Sequence, residues 1–298
     1  MPRADDAVTA PPDYVSLDDL WDPQAEGSLT GAALVLVPML LGTVLLLGYV
    51  VLRACNVRVF PRCRFQPGTW DAWDVGRAAI VFLCVLRVVL GGAGWLQARL
   101  GERLPFAVLG ALTTNAVGVM MSLFLVMLTG IRSGDGLRGL GLRETRPGSR
   151  AGLGLLGALM SQPLVLLATI VTIVLGPLVG VRFQVQPLLR EARGLPAWGF
   201  VLLCLSAVVV APVTEEIVFR GFVYATLRRW WGPLGSICAS AVLFAALHGH
   251  APAFLQLFVV GFLFAYLYER TGSLVAPIAA HALVNLHSML VILIVHRG

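Results

Sequence analysis

GAALVLVPMLLGTVLLLGYVVL, residues 31–52, runs for 22 residues without an acidic, basic or amide side chain. Coiled as an α-helix it is about 33 Å long, enough to cross roughly 30 Å of hydrocarbon. Arg53 ends it. Similar runs follow along the chain, from Ala78 to Leu96, Pro105 to Thr129, Ala151 to Val179, Trp198 to Thr226, Leu234 to His248, Ala253 to Tyr268 and Leu274 to Val295. The sixth and seventh are short and need shelter from their neighbours. Unbroken apolar runs, rather than ten-residue alternations, point to helices and not a β-barrel. The expected fold is therefore an all-α polytopic transmembrane bundle of about eight spans, with any catalytic site inside it. Composition excludes the rest: of 298 residues 58% are hydrophobic and 13% charged, and mean hydropathy is +0.84. A soluble domain, a disordered chain and a fibre all fail on those values.

Residues 1–30 differ in kind. Seven acids (Asp5, Asp6, Asp13, Asp18, Asp19, Asp22, Glu26) stand against Arg3, and no apolar core follows a basic start, so this is read as a solvated tail and not a signal peptide. The net charge is +6, and all 22 basic residues are Arg, scattered between apolar runs. That dispersal suits membrane orientation better than nucleic acid, which is not an expected partner. Arg53, Arg58, Arg62, Arg64 and Arg77 fill the first connection, and Arg132, Arg138, Arg143, Arg146 and Arg150 the third. The connection between these two has only Arg99 and Arg103. The positive-inside bias then places the first and third connections in the cytoplasm and both termini outside it. Cys55, Cys63, Cys84, Cys204 and Cys238 show no CxxC spacing, so neither a disulfide framework nor a thiolate metal site is expected.

Ionisable residues inside spans need explaining, because each costs roughly 2.5 to 3.5 kcal/mol at a helix centre on insertion scales. Arg87, Asn115 and Gln162 are isolated, and snorkelling or a hydrogen bond between helices accounts for each. The last ninety residues instead gather Glu215, Glu216, Arg220, His248, His281 and Asn285. Glu216 and Arg220 are four apart, with the acid first, the order that favours an ion pair on a helix. Glu215 lies about 100° round from Glu216 and has no partner on its own segment. An unpaired carboxylate among apolar helices is how a Glu is poised as a general base. Gly232-Pro233 reads as a hairpin turn. Glu215 lies 17 residues before Gly232 and His248 lies 15 after Pro233, so the two are expected to meet at similar depth. Phe244, four before His248, would wall the site. His281 and Asn285 form another four-residue pair, while His287, about 240° round from His281, falls outside. His250 and His296 read as loop and terminal residues.

Glu215-Glu216-x-x-x-Arg220, Phe244-x-x-x-His248 and His281-x-x-x-Asn285, the last within GSLVAPIAAH at 272–281, resemble the three ordered motifs of the CAAX-protease and bacteriocin-processing (CPBP, or Abi) family of intramembrane endopeptidases. The likeness covers about residues 195–295. It divides the chain into the tail (1–30), N-terminal transmembrane helices (31–194) and catalytic helices (195–298). The resemblance implies that Glu215 and His248 activate a water, that His281 and Asn285 stabilise the oxyanion, and that Glu216 and Arg220 hold the helix presenting Glu215. It implies a membrane-associated protein or peptide as substrate. The family has been labelled metalloprotease, and Glu215, His248 and His281 are the zinc ligands such a reading would use. No HExxH is present, and the apolar flanks of both histidines offer no visible acceptor for the second ring nitrogen, so a metal-independent glutamate hydrolase is expected and no cofactor is favoured. Competing classes are a non-proteolytic immunity or scaffold protein and a proton-relaying transporter, though no internal repeat supports the latter. All-arginine basicity in an Ala, Gly, Leu and Val-rich chain points to a high-GC bacterial gene and a bacterial cell membrane.

Overall fold

The computed structural model describes residues 28–57, 59–60, 70–134, 136, 140–142, 146–181 and 192–297, and these are mostly helical, with no strand among them. The acidic tail and Cys63 lie outside the described residues. Helix α1 is Ser28–Ala54, α2 Ala72–Leu100, α3 Phe106–Ser133 and α4 Pro147–Leu175. A helical stretch then runs from Ala197 to Leu247 and breaks at Gly232, whose φ of +67° only glycine adopts readily. Its two arms are α5 (197–231) and α6 (233–247). Helix α7 is Phe254–Thr271 and α8 is Val275–Arg297.

Six helices among the described residues are long and apolar enough to cross a membrane, one of them the broken stretch of 51 residues, and Val275–Val291 is a shorter apolar one. Split at Gly232, these are the eight apolar segments read from the sequence. The protein is an integral, multi-pass membrane protein. Helix α6, at 15 residues, is about 22 Å long, less than the hydrocarbon thickness. It stops at His248, the chain turns through Gly249 at φ +64°, and α7 runs back.

Small residues let the N-terminal helices press against the C-terminal ones. A Cβ on Gly154 of α4 would lie 2.1 Å from the Ala276 carbonyl oxygen of α8, and one on Gly42 of α1 equally close to the Leu159 oxygen of α4. Without a hydrophobic drive between helices in lipid, such close approach is what holds them. One end of the bundle collects several connections. Tyr268 donates to the Leu140 carbonyl at 3.3 Å, Leu274 N–H to that of Gly141 at 2.9 Å, Arg270 to that of Phe60 at 3.2 Å, and Arg229 to that of Trp70. Arg132 at the end of α3 binds Asp71 and Asp74 at the start of α2, at 2.7 and 2.9 Å.

Helix α5 is not regular. Ala197–Leu205 is α-helical, Ser206–Val210 is a π-turn, Ala211–Glu216 is α-helical again, and Ile217–Tyr224 is π-helical before the α-helix resumes. Pro212 accounts for the first irregularity. The Ala211 N–H bonds the Ser206 carbonyl, five residues back, and Pro212 has no N–H to give the Ala207 carbonyl. That carbonyl needs a partner from another helix.

Candidate active site

Asn285 supplies it. Its side-chain amide on α8 donates to Ala207 O at 2.7 Å, so a proline-generated defect in α5 fixes a motif residue of α8. A second polar link ties the same turn to α3, where Asn115 bonds Ser206. Asn115 thus spends its amide between helices, Gln162 bonds the Ala158 carbonyl of its own helix, and Arg87 is exposed.

About two and a half turns beyond Ala207, Glu216 and Arg220 pair at 2.9 Å with both side chains fully buried. The ion pair read from their spacing is present, and each partner makes further contacts. Arg220 also donates to Gly261 O of α7 at 2.8 Å, and its guanidinium sits 4.7 Å from the Phe244 ring centre and 5.3 Å from that of Phe264. Aromatic faces and a carbonyl replace the water this cation has lost. The same Glu216 Oε1 that binds Arg220 lies 3.0 Å from His281 Nδ1. Glu216 therefore joins α5 to α8 as well as bracing its own helix, a role the (i, i+4) spacing alone does not reveal.

His281 is buried, stacked on Phe264 at 4.8 Å and set edge-on to Phe244 at 5.9 Å. With Nδ1 turned to Glu216, its Nε2 lies 3.9 Å from Glu215 Oε2. Glu215 retains 21% side-chain exposure, yet Oε2 is buried and has no hydrogen-bond partner among the described residues. The two adjacent glutamates have different surroundings, as their 100° separation requires: Glu216 is locked through Oε1 between Arg220 and His281, its Oε2 buried without a partner among the described residues, whereas Glu215 has no cation of its own there and faces His281 Nε2.

His248 ends α6 and is exposed, with Nδ1 at 2.7 Å from the Phe244 carbonyl and its ring 4.6 Å from the Phe244 ring. No ion pair within 4.0 Å joins it to Glu215 among the described residues, so the direct meeting expected across the hairpin is instead made by His281, with Phe244 between the two imidazoles. His287 points elsewhere, bonding Leu34 O at 3.1 Å. Phe264, Gly261 and Ala207 also build the site, and no spacing signal in the sequence marks them.

Contrary to the expectation from their apolar flanks, both imidazoles have an acceptor at Nδ1, Glu216 for His281 and the Phe244 carbonyl for His248. These come from the fold, and flanking sequence does not show them. Nevertheless no group of three or more His, Cys, Asp or Glu among the described residues is gathered closely enough to hold a metal ion, so Glu215, His248 and His281 do not fit one in this arrangement.

Residues 197–287 match the family model described as "Type II CAAX prenyl endopeptidase Rce1-like". This segment is similar to that family. It contains all three motifs, and the resemblance read from them holds. Over 84 residues the chain is 32% identical to "Putative membrane peptidase YdiL" of Bacillus subtilis (strain 168), a stretch amounting to 28% of this chain. The chain spans about a third of the length of that curated relative, 34%. A bacterial relative fits the bacterial membrane expected from composition. No solved structure matches the chain significantly.

Proposed function

We propose that the protein is an intramembrane endopeptidase of glutamate type, hydrolysing a peptide bond in a membrane-associated protein or peptide without a metal. The observation that carries this is the unpartnered, buried Oε2 of Glu215, held 3.9 Å from His281 Nε2 inside the Rce1-like segment. Two groups that far apart can both contact one oxygen at about 2.8 Å when they approach it near a right angle. In this reading Glu215, with His248, takes the proton of the attacking water. His281 and Asn285 stabilise the oxyanion, Asn285 with the amide N–H not committed to Ala207 O. The Glu216 carboxylate behind His281 fixes the orientation of the ring. Phe244 and Phe264 keep bulk water away from the cluster.

The test is cleavage of membrane-anchored and leader-type peptides by the purified chain, with Glu215→Gln as control. Activity that survives exhaustive treatment with strong chelators, in protein with no detectable bound metal, is the expected result. Bound zinc whose removal abolishes cleavage and whose return restores it would overturn the metal-free reading. Tight partner binding with no cleavage would favour a scaffold or immunity protein, and substrate-coupled proton flux would favour a transporter.

A further inference from the structure

A second feature lies away from these residues. A cavity of about 620 Å³ opens between α1, α4 and α7. Its wall follows α4 from Gly157 to Val171, fourteen residues or about 21 Å, which exceeds the roughly 15 Å depth of one leaflet's hydrocarbon. The wall is aliphatic and aromatic, and Ser161 on it spends its hydroxyl on the Ala158 carbonyl.

Polarity collects at one end. There the hydroxyls of Tyr49 and Tyr266 bond each other at 2.9 Å, and the Arg270 guanidinium lies 6.0 Å from the Tyr266 ring centre. Arg270 donates to Phe60 O through Nη2, while its Nε is buried with no hydrogen-bond partner among the described residues. Arg53, exposed in the last turn of α1, lies four residues after Tyr49, on the same face of that helix. This is the end where the arginine-bearing connections gather.

The shape selects among occupants. An extended peptide would leave its backbone N–H and C=O groups against a wall with nothing to bond them. A hydrocarbon chain needs no such partners, and two guanidiniums at the mouth complement a phosphate. We propose that this is a binding site for an anionic phospholipid, with one acyl chain in the cavity and the phosphate between Arg53 and Arg270.

The test uses the full chain, delipidated in detergent and titrated with phosphatidylglycerol or phosphatidylcholine of identical acyl chains, bound lipid being counted by native mass spectrometry. Phosphatidylglycerol should bind about thirtyfold more tightly, the size expected of two basic residues near an anionic surface. Arg53→Gln changes an exposed side chain and should lower that preference about fivefold. The double variant Arg53→Gln with Arg270→Gln should abolish it. Ala168→Leu, which fills the cavity, should weaken both lipids while leaving the preference between them. Equal affinity for the two lipids, or an unchanged preference in Arg53→Gln, would overturn the phosphate site. Undiminished binding by Ala168→Leu, or equally tight binding of a six-carbon-chain phosphatidylglycerol, would overturn the acyl cavity. Because the readout is lipid binding, a negative result here is distinct from failure to cleave peptides.

Discussion

Glu215 and Glu216 are neighbours in sequence, and substitutions at the two should fail in different ways. Glu215→Gln keeps the shape and removes the base, so cleavage should fall at least about a hundredfold, the lower end for general acid–base catalysis, with thermal stability in detergent intact. Glu216→Gln leaves Arg220 as a buried charge lacking its carboxylate, and breaking a buried pair from one side costs about 3 to 5 kcal/mol in soluble proteins. Its main defect should be in folding. Adding Arg220→Met should recover part of that stability by removing the second charge, but not activity, because His281 still lacks the carboxylate at its Nδ1. Equal stability of the two single variants, with equal loss of cleavage, would mean that both carboxylates act chemically. The (i, i+4) pair and the solitary Glu215 were legible in the sequence because helix periodicity is a local property. The Glu216–His281 contact spans 65 positions and depends on how α8 packs on α5, so local spacing contains no record of it.

At the scale of elements, the hairpin at Gly232 was legible from glycine and proline chemistry, while the π-turn in α5 was not read although its cause, Pro212, lies in plain view. A proline inside a span frees a carbonyl, but which helix satisfies it is decided by packing. Here Asn285 does, and Glu215 follows three residues after the proline. A π-turn holds an extra residue relative to an α-turn, so losing it would rotate Glu215 by about 100° against the helix before it. Pro212→Ala restores the missing N–H and should leave stability equal or higher, since an interior proline costs about 3 kcal/mol or more in a regular helix. Cleavage should nevertheless drop, on the order of a hundredfold, the penalty for displacing a reacting group by roughly 1 Å. Paired measurement of melting temperature and rate decides the matter: a variant as active as the parent would show that Pro212 does not set the position of Glu215.

For the whole molecule the decisive quantity is orientation in the bilayer. Helices α1 to α5 traverse alternately, so the ends of α1, α3 and α5 and the starts of α2 and α4 share one side. The hydrogen bonds of Arg229 to Trp70 O and Arg270 to Phe60 O place the Gly232 turn and the end of α7 there as well. Helices α6 and α7 leave that side and return to it, so the parity of the chain holds whether or not the short α6 crosses completely. Arg53, Arg132, Arg228, Arg229 and Arg270 thereby fall on one side, and Arg99, Arg103, Arg193 and Arg297 on the other. The second half, nearly uninformative as a list of arginines, adds its weight once the hairpin is known to return. By the positive-inside bias the arginine-rich side is cytoplasmic. A reporter active only in the cytoplasm should give signal when fused after Arg62 or Arg143 and none after Arg99. One fused after Gly232 should also give signal, since the turn shares that side. Signal from the Arg99 fusion alone would invert the molecule and move the proposed phospholipid site to the outer leaflet. A silent Gly232 fusion beside an active Arg62 fusion would break the common end itself and, with it, the packing that brings α5 to α8.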